Sequence, residues 1–361
     1  MTRQVIVGGT PIGGGARVTI QSMTNTDTRD VDATVAQIRA LEDAGCDIVR
    51  VSVYDSECVE AIGGIVKRIR IPLVADVHFD YRLAVGAIER GANKVRINPG
   101  NIGSDENVRL LSEVAKRHSV PIRIGVNGGS LERELLQKHG KATAEAMVES
   151  SMRHIALLER HDFRDIVVSM KSSSVRTTVE AYRLLRTKCD YPFHIGVTEA
   201  GFGEDALVKG AIGIGALLLD SIGDTVRVSM TGDPVREVLA AQSILAAVGV
   251  KRAGVEVISC PTCGRTAGDV EGLAQVIAHE LRRCAKPLKV AVMGCVVNGP
   301  GEAREADVGI AFAPGGAVVF AGGEKCFSGG KDEAVAVLVE TAKAMAAGRS
   351  DNASAGVGEE P

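Results

Sequence analysis

Short apolar runs alternate with longer amphipathic stretches along the first two thirds of the chain. Between residues 17 and 247 one unit recurs: an apolar run, a polar or glycine-rich turn, and a helical pattern of about 12 to 18 residues. Apolar runs without strict alternation are typical of parallel strands buried on both faces. The eight predicted strands are Arg17–Gln21, Asp47–Val51, Leu73–Val77, Lys94–Asn98, Ile122–Val126, Ile166–Met170, Phe193–Val197 and Val226–Met230.

The intervening stretches predict helices, several of which begin at Asp or Ser residues suited to capping. Examples are Asp32–Ala44, Tyr81–Arg90, Glu106–His118 and Thr143–Arg160. Eight strand–helix pairs in about 230 residues match a (β/α)8 TIM-type barrel, although the pattern alone also allows a doubly wound open sheet. Polar side chains at nearly every strand end favour the barrel, because only a barrel brings all of them to one mouth.

The pattern changes at Val248–Gly254, a short connector. We predict a barrel over residues 1–247, a small α/β domain over residues 248–347 and a disordered tail over residues 348–361. The second domain is expected to contain a strand, a cysteine-rich turn, a helix, a strand, a loop, two short strands and a last helix. The bounded elements are Val255–Ser259, Val270–Arg283, Leu288–Met293 and Asp332–Ala347.

Composition narrows the class of protein. The chain has 361 residues, of which 45% are hydrophobic and 24% charged, so a disordered chain and a disulfide-stapled miniprotein are excluded. The net charge of −3 gives no broad field for nucleic acid. Since no apolar run is long enough to cross a membrane, we expect a cytoplasmic protein whose eight cysteines stay reduced.

A cysteine constellation is the strongest local signal. Cys260 and Cys263 form a CxxC turn after a predicted strand, and Cys295 and Glu302 follow the next predicted strand. A closed zinc site requires four protein ligands, and this pattern provides three thiolates without a fourth soft ligand. The pattern therefore favours a [4Fe–4S] cluster over zinc. Zinc and a thiol redox pair stay open on spacing alone.

Basic residues end four predicted strands: Arg96, Arg123, Lys171 and Arg227. Guanidinium forks match phosphate oxygens, so this mouth suits a doubly phosphorylated substrate. Ion pairs with Asp76 and Glu199 are the structural alternative. The turns 98–101 and 127–130 add backbone N–H donors, and His78 and His194 each fit a hydrogen-bonded structural histidine or a catalytic one.

Seven motifs in order make the sequence recognisable. Segments 7–15, 21–28, 77–82, 94–101, 196–201, 259–266 and 294–302 resemble the 4-hydroxy-3-methylbut-2-en-1-yl diphosphate synthase family of the methylerythritol phosphate isoprenoid pathway. The resemblance runs from about residue 4 to residue 345 and fits the two-domain bacterial form.

The resemblance implies a reductive ring opening and dehydration of 2-C-methyl-D-erythritol 2,4-cyclodiphosphate by an iron–sulfur oxidoreductase. It implies a [4Fe–4S] cluster, flavodoxin or ferredoxin as electron donor, and a homodimer whose site is shared between chains. The implied cluster ligands are Cys260, Cys263, Cys295 and Glu302, and the implied catalytic residues are Glu199, Asp76 and Glu302. The implied diphosphate-binding residues are Arg96, Asn98, Arg123, Asn127, Lys171, Thr198, Arg227 and Ser229.

Two other classes compete with this interpretation. One is a barrel enzyme similar to dihydropteroate synthase that carries a structural zinc module. The other is a metal-binding scaffold without activity, which the cationic mouth disfavours.

Overall fold

The computed structural model describes residues 1–98, 102–250, 254–281, 284 and 286–348. The chain divides into two compact units, residues 1–250 and 251–361. Each unit has its own sheet and its own hydrophobic core. No helix within the described ranges combines the length and apolar character that crossing a bilayer requires.

The first unit is an eight-stranded parallel barrel. Its strands are β3 (Thr19–Met23), β4 (Ile48–Val53), β5 (Leu73–Val77), β6 (Lys94–Ile97), β7 (Ile122–Asn127), β8 (Ile166–Lys171), β9 (His194–Ile195) and β10 (Thr225–Val226). β3 pairs with both β4 and β10, and a bridge between Val168 and Phe193 joins β8 to the β9 segment. Because the strand order closes on itself, the predicted barrel is confirmed and the open sheet is excluded.

Nine helices of this unit lie between and after the strands in the described ranges. They are α1 (Val31–Asp43), α2 (Ser56–Val66), α3 (Tyr81–Glu89), α4 (Asp105–His118), α5 (Arg133–His139), α6 (Ala144–Arg160), α7 (Val175–Arg186), α8 (Gly203–Leu219) and α9 (Pro234–Ala247). Side-chain oxygens of Asp30, Ser104 and Thr143 accept backbone N–H groups in the first turns of α1, α4 and α6. These caps satisfy donors that a helix start otherwise leaves unpaired.

The last two barrel strands are shorter than predicted. The sequence indicates Phe193–Val197 and Val226–Met230, whereas only His194–Ile195 and Thr225–Val226 pair as strands. The Arg227 N–H still donates to the Ile195 carbonyl at 3.0 Å, but the following residues leave the ladder. Apolar residues therefore continue beyond the point where strand pairing ends.

A two-stranded hairpin precedes the barrel and was not predicted. β1 (Val5–Val7) pairs antiparallel with β2 (Thr10–Ile12). Val7 and Ile12 pack against Ile48 and Val74, which lie early in β4 and β5. These four residues form an apolar floor beneath the barrel interior.

The second unit has a five-stranded sheet with the order β11-β12-β13-β14-β15. Its elements are β11 (Gly254–Ser259), α10 (Val270–Glu280), β12 (Pro287–Met293), α11 (Gly299–Glu305), β13 (Val308–Ala313), β14 (Gly316–Ala321), β15 (Glu324–Gly329) and α12 (Lys331–Ala346). β11, β12 and β13 are parallel, and β14 and β15 are added antiparallel.

Two details of the second unit differ from the sequence prediction. Three strands follow the loop instead of two, and α11 was not predicted. β13 and β14 are largely apolar, whereas β15 begins with Glu324 and Lys325 and is mostly exposed, so it lacks the apolar pattern that predicts a strand. Parts of three predictions lie outside the described residues: the connector at 251–253, the predicted helix end at 282–283 and the tail from 349 onward.

Candidate active site and cysteine loops

Basic side chains fill the barrel interior. Strand residues such as Val95, Ile97 and Ile124 pack in the core under the helices, so their alternate neighbours point inward. The basic residues at such positions are Arg50, Lys94, Arg96, Arg123, Lys171 and Arg227. Within the described part of the chain, Asp76 and Glu237 are the only carboxylates buried among them, so this interior carries a large excess of positive charge.

Asp76 is the counter-ion of two of these arginines. Its carboxylate lies 3.1 Å from Arg96 Nη1 and 3.7 Å from Arg50 Nε. Burial alone would raise the pKa of Asp76, but Arg50, a hydrogen bond from His78 and Arg96 outweigh burial and hold that pKa well below its usual range. Asp76 is therefore a carboxylate throughout the physiological range.

His78 shares this cluster, since its Nε2 lies 2.7 Å from Arg96 Nη1 and 3.6 Å from Asp76 Oδ1. The structure thus contains the predicted ion pairing for Asp76. Glu199, in contrast, makes no ion pair with any residue that the structure describes, and its side chain is exposed.

Arg96 can reach Asp76 because a glycine faces it on the neighbouring strand. A β-carbon on Gly125 would lie 2.2 Å from Arg96 Nε and 2.7 Å from Nη2, which no real side chain tolerates. Gly125 therefore provides the space in which the Arg96 guanidinium lies against β7.

Glu237 on α9 organises the opposite side of the mouth. Its carboxylate accepts hydrogen bonds from Arg227 Nε at 3.2 Å and Nη2 at 3.1 Å. It also accepts from Ser22 Oγ at 3.0 Å and from the Met230 N–H at 3.1 Å. One buried carboxylate thus joins α9 to β3 and to the segment after β10.

Lys171 and His194 are buried neighbours, with Lys171 Nζ 3.4 Å from His194 Nε2. Burial together with Arg227 and Arg123 lowers the pKa of Lys171 well below its usual range. Burial and the cations Arg123 and Lys171 also lower the pKa of His194 well below its usual range. Any anion in this interior would stabilise the charged form of Lys171.

The remaining predicted residues of the barrel lie at or beyond the carboxyl ends of its strands. Asn98 is buried directly after β6, and Asn127 ends β7 opposite Lys171 in register. Thr198 and Ser229 are half-buried. Glu199 has a φ of 52°, a left-handed conformation that is uncommon for a residue with a side chain and that recurs at functional sites.

The predicted donor turns are described only in part. Gly128–Ser130 forms a short 3₁₀ turn after β7. Residues 99–101 of the other turn lie outside the described residues.

The predicted site residues leave out three charged residues of the described interior: Arg50, Lys94 and Glu237. Lys94 lies two positions before Arg96 on β6, so period-two alternation places both on the inner face and could have identified it. Glu237 lies within a helix and carries no local signal, because only the fold brings it to Arg227.

The predicted cluster ligands lie in two loops that follow neighbouring strands of the second unit. β11 and β12 pair in parallel with Ser259 opposite Val292, so both loops leave the same edge of the sheet. Cys260 Sγ accepts the Gly294 N–H at 3.2 Å. A β-carbon on Gly294 would lie 3.0 Å from Thr266 and Val270 and 3.2 Å from Cys260 Sγ, so glycine allows this close approach.

Cys295 lies in an environment that favours its thiolate. The backbone N–H groups of Val297 and Asn298 and the Arg265 side chain lower the pKa of Cys295, despite some opposing desolvation. Cys263 is exposed and its N–H donates to Thr266 Oγ1 at 2.9 Å. Glu302 is exposed in the first turn of α11.

The structure brings the two cysteine loops into contact, but not the four predicted ligands into one group. All eight cysteines are free thiols. Among the described residues no three His, Cys, Asp or Glu side chains are close enough to hold a metal ion. The two loops in contact nevertheless carry free thiols, and the pKa of the Cys295 thiol is lowered. These thiols provide the soft donors that an iron–sulfur cluster requires.

A closed parallel barrel with a cationic mouth, followed by a separate unit that presents cysteine loops, defines a two-domain (β/α)8 enzyme. The chain belongs to the GcpE family: the GcpE TIM-barrel domain matches residues 2–242, and the GcpE protein C-terminal domain matches residues 256–344. The family expected from the seven motifs is confirmed.

Two curated relatives show how close the match is. The 4-hydroxy-3-methylbut-2-en-1-yl diphosphate synthase (flavodoxin) of Caldanaerobacter subterraneus subsp. tengcongensis is 56% identical over 90% of this chain and 91% of that protein. The protein of the same name from Clostridium perfringens is 57% identical over 90% of this chain and 93% of that protein. Among solved structures, the dihydropteroate synthase of Yersinia pestis matches with a TM-score of 0.47 at 11% identity, over 68% of this chain and 99% of that chain.

Proposed function

We propose that this chain catalyses the two-electron reductive ring opening and dehydration of 2-C-methyl-D-erythritol 2,4-cyclodiphosphate to 4-hydroxy-3-methylbut-2-enyl diphosphate. The observation that carries the proposal is the cationic barrel interior, where six basic side chains face two carboxylates in a chain of this family. Such a charge excess suits a diphosphate, and the relatives' name supplies the substrate class.

We assign each barrel residue a role that follows from its side-chain chemistry. Arg96, Arg123, Lys171 and Arg227 bind the diphosphate oxygens, and Asn98, Asn127, Thr198 and Ser229 orient them. Asp76 stays ionised and holds Arg50 and Arg96 in place. Glu199 is exposed and lacks an ion-pair partner among the described residues, so it is the carboxyl group available to move a proton.

The second unit supplies the electron-transfer centre in this proposal. Cys260, Cys263, Cys295 and Glu302 would hold a [4Fe–4S] cluster. A bound cluster supplies single electrons and a Lewis acid. The contact between the two cysteine loops and the lowered pKa of Cys295 support this ligand set. The parenthetical word in the relatives' name supports flavodoxin as the electron donor.

A homodimer with a site shared between chains is also part of the proposal, and the family resemblance supports it. The test mixes a Cys260→Ala chain with a Glu199→Gln chain, each inactive alone. Restored turnover in the mixture is expected, and its absence would count against a shared site.

An anaerobic assay tests the proposed function. Purified, cluster-loaded protein is given the cyclic diphosphate and a strong one-electron donor, and product is quantified. Turnover is expected in the wild type and should be lost in Cys295→Ser, with the circular dichroism spectrum retained. Cys326→Ser is the matched control, because Cys326 lies on β15 away from the cysteine loops. Unchanged turnover in Cys295→Ser, or about one zinc per chain instead of about four irons, would refute the assignment.

A further inference from the structure

Polar atoms without any hydrogen-bond partner are concentrated in the lower barrel interior. Among the described residues they include Lys94 Nζ, Nε and Nη2 of Arg123, and both amide atoms of Gln21. These three side chains are at most 1% exposed. An unpaired buried polar group is costly, and native proteins rarely leave such groups unpaired. Water or a ligand from outside the chain must therefore complete them.

These groups share the inner face of the barrel. Ile20, Val95 and Ile122 pack in the core under the helices, so their neighbours Gln21, Lys94 and Arg123 point inward. Lys94 and Arg123 lie on the adjacent strands β6 and β7. Both stand near the amino ends of their strands, whereas the mouth is at the carboxyl ends.

Apolar residues lie at the amino end of the interior near this position. Val74, one of the four floor residues, pairs in register with Lys94. Lys94 also lies four residues before Asn98, which is about 13 Å along a strand. The side chains of the four floor residues carry no polar atom, so they cannot pair with Lys94 Nζ.

The two cations of this position lack a direct carboxylate partner among the described residues, and Asp76 attracts Arg123 without forming an ion pair with it. In the described residues neither Lys94 nor Arg123 forms an ion pair with a carboxylate. Burial and the neighbouring Arg123 and Arg50 lower the pKa of Lys94 well below its usual range. Adjacent buried cations are costly unless an anion pairs with them.

We propose that Lys94 and Gln21, together with Arg123, form an inner anion-binding position below the other mouth residues, which takes a small inorganic anion such as chloride. The position is rich in donors, which suits an ion that accepts hydrogen bonds from all sides. Since Arg123 is also one of the proposed diphosphate-binding residues, the same chemistry would receive a phosphoryl oxygen that reached down from the mouth. The position goes beyond the proposed reaction, because Lys94 and Gln21 have no role in that reaction and a bound halide is detected without turnover.

Bromide diffraction tests the inner position directly. Crystals of the full-length protein are soaked in sodium bromide with and without inorganic pyrophosphate, and anomalous maps are calculated. A bromide peak within hydrogen-bonding distance of Lys94 Nζ is expected in both soaks for a free anion. If pyrophosphate removes that peak and a phosphoryl oxygen takes its place, the position binds a phosphoryl group of a ligand in the mouth in preference to a free anion. Water alone beside Lys94 in both soaks would overturn the proposal.

A solution measurement extends the test to a variant. Chloride should raise the thermal midpoint of the wild type relative to gluconate at equal ionic strength. Lys94→Met, which keeps the length of the side chain and removes its ammonium, should lose this difference. Lys116→Met is the matched control, because Lys116 is exposed on α4. If Lys94→Met does not fold, an equal midpoint in chloride and gluconate for the wild type would by itself contradict the proposal.

Discussion

Arg96 illustrates how the site is built at the scale of single residues. Its guanidinium contacts Asp76 Oδ1 at 3.1 Å and His78 Nε2 at 2.7 Å, and it occupies the space that Gly125 leaves open. A buried ion pair is stable only with good geometry on every side. The absence of one β-carbon is therefore as important for the position of Arg96 as the carboxylate that it binds.

Gly125→Ala should weaken diphosphate binding. The new methyl group would lie 2.2 Å from Arg96 Nε in the present arrangement, so the guanidinium must leave its place beside Asp76. Losing one charged hydrogen bond costs about 1.5–3 kcal/mol, which corresponds to a roughly ten- to one-hundredfold higher dissociation constant. Isothermal titration calorimetry with inorganic pyrophosphate measures the change.

Gly63→Ala is the control for this substitution. Gly63 lies on α2, and a β-carbon there would make only an ordinary contact at 3.8 Å from the Arg90 carbonyl oxygen, so wild-type affinity is expected. Equal pyrophosphate affinities of the Gly125→Ala protein and the wild type would show that the space beside Gly125 does not determine the position of the Arg96 guanidinium.

Position in a strand explains which basic residues the sequence could place in the interior. Arg96, Arg123 and Lys171 lie within or directly after apolar runs, and the fold places all three on the inner face of the barrel, although Arg123 is only the second residue of β7. Lys94 was missed because it opens a run and therefore looks like a boundary residue. Glu237 could not be found from the sequence, because its partners Arg227 and Ser22 are brought to it only by the closed fold.

At the scale of elements, the barrel follows from hydrophobic patterning, while its closure does not. The first six barrel strands match the predicted runs closely, whereas β9 and β10 pair over only two residues each. Their apolar residues continue into the mouth segments, where Val197 and Ala200 pack in a small separate cluster with Ala206. Hydrophobicity marks burial, and burial here extends beyond strand pairing.

The helix α9 fixes this irregular part of the barrel through Glu237. Since the carboxylate accepts from Ser22, Arg227 and the Met230 N–H, Glu237→Gln should lower the free energy of unfolding by about 1–3 kcal/mol. The amide replaces a charged acceptor by a neutral group that also carries a donor. Urea denaturation followed by circular dichroism measures the loss.

Glu113→Gln provides the comparison on the surface. Glu113 pairs with Arg109 on the exposed face of α4, and such pairs contribute little to stability because solvent screens them. If both variants lost the same stability, Glu237 would hold α9 no more firmly than an ordinary surface ion pair does.

At the scale of the whole molecule, the chain consists of two units with separate cores. Leu41, Val95 and Phe193 belong to the core of the first unit, and Val292 and Leu338 to that of the second. The sequence predicts a boundary between residues 247 and 248 from the change of pattern near Val248–Gly254, and the compact units divide between residues 250 and 251. The contact between the cysteine loops could not be predicted, because it depends on which strands of the second sheet are neighbours.

Separate cores and separate ligands predict two unfolding transitions that respond independently. In cluster-free protein, inorganic pyrophosphate at one hundred times its dissociation constant should stabilise the first unit by about 2.7 kcal/mol. For a unit of this size that corresponds to a rise of roughly 5–10 °C in one calorimetric transition. Anaerobic loading with iron and sulfide should raise the temperature of the other transition instead, because the proposed cluster ligands all lie in the second unit.

Two variants separate these responses. Arg227→Met should lose the response to pyrophosphate and keep the response to iron. Cys295→Ser should keep the response to pyrophosphate and lose the response to iron. A single transition that both ligands shift together would contradict this prediction, because the two cores would then unfold as one cooperative body.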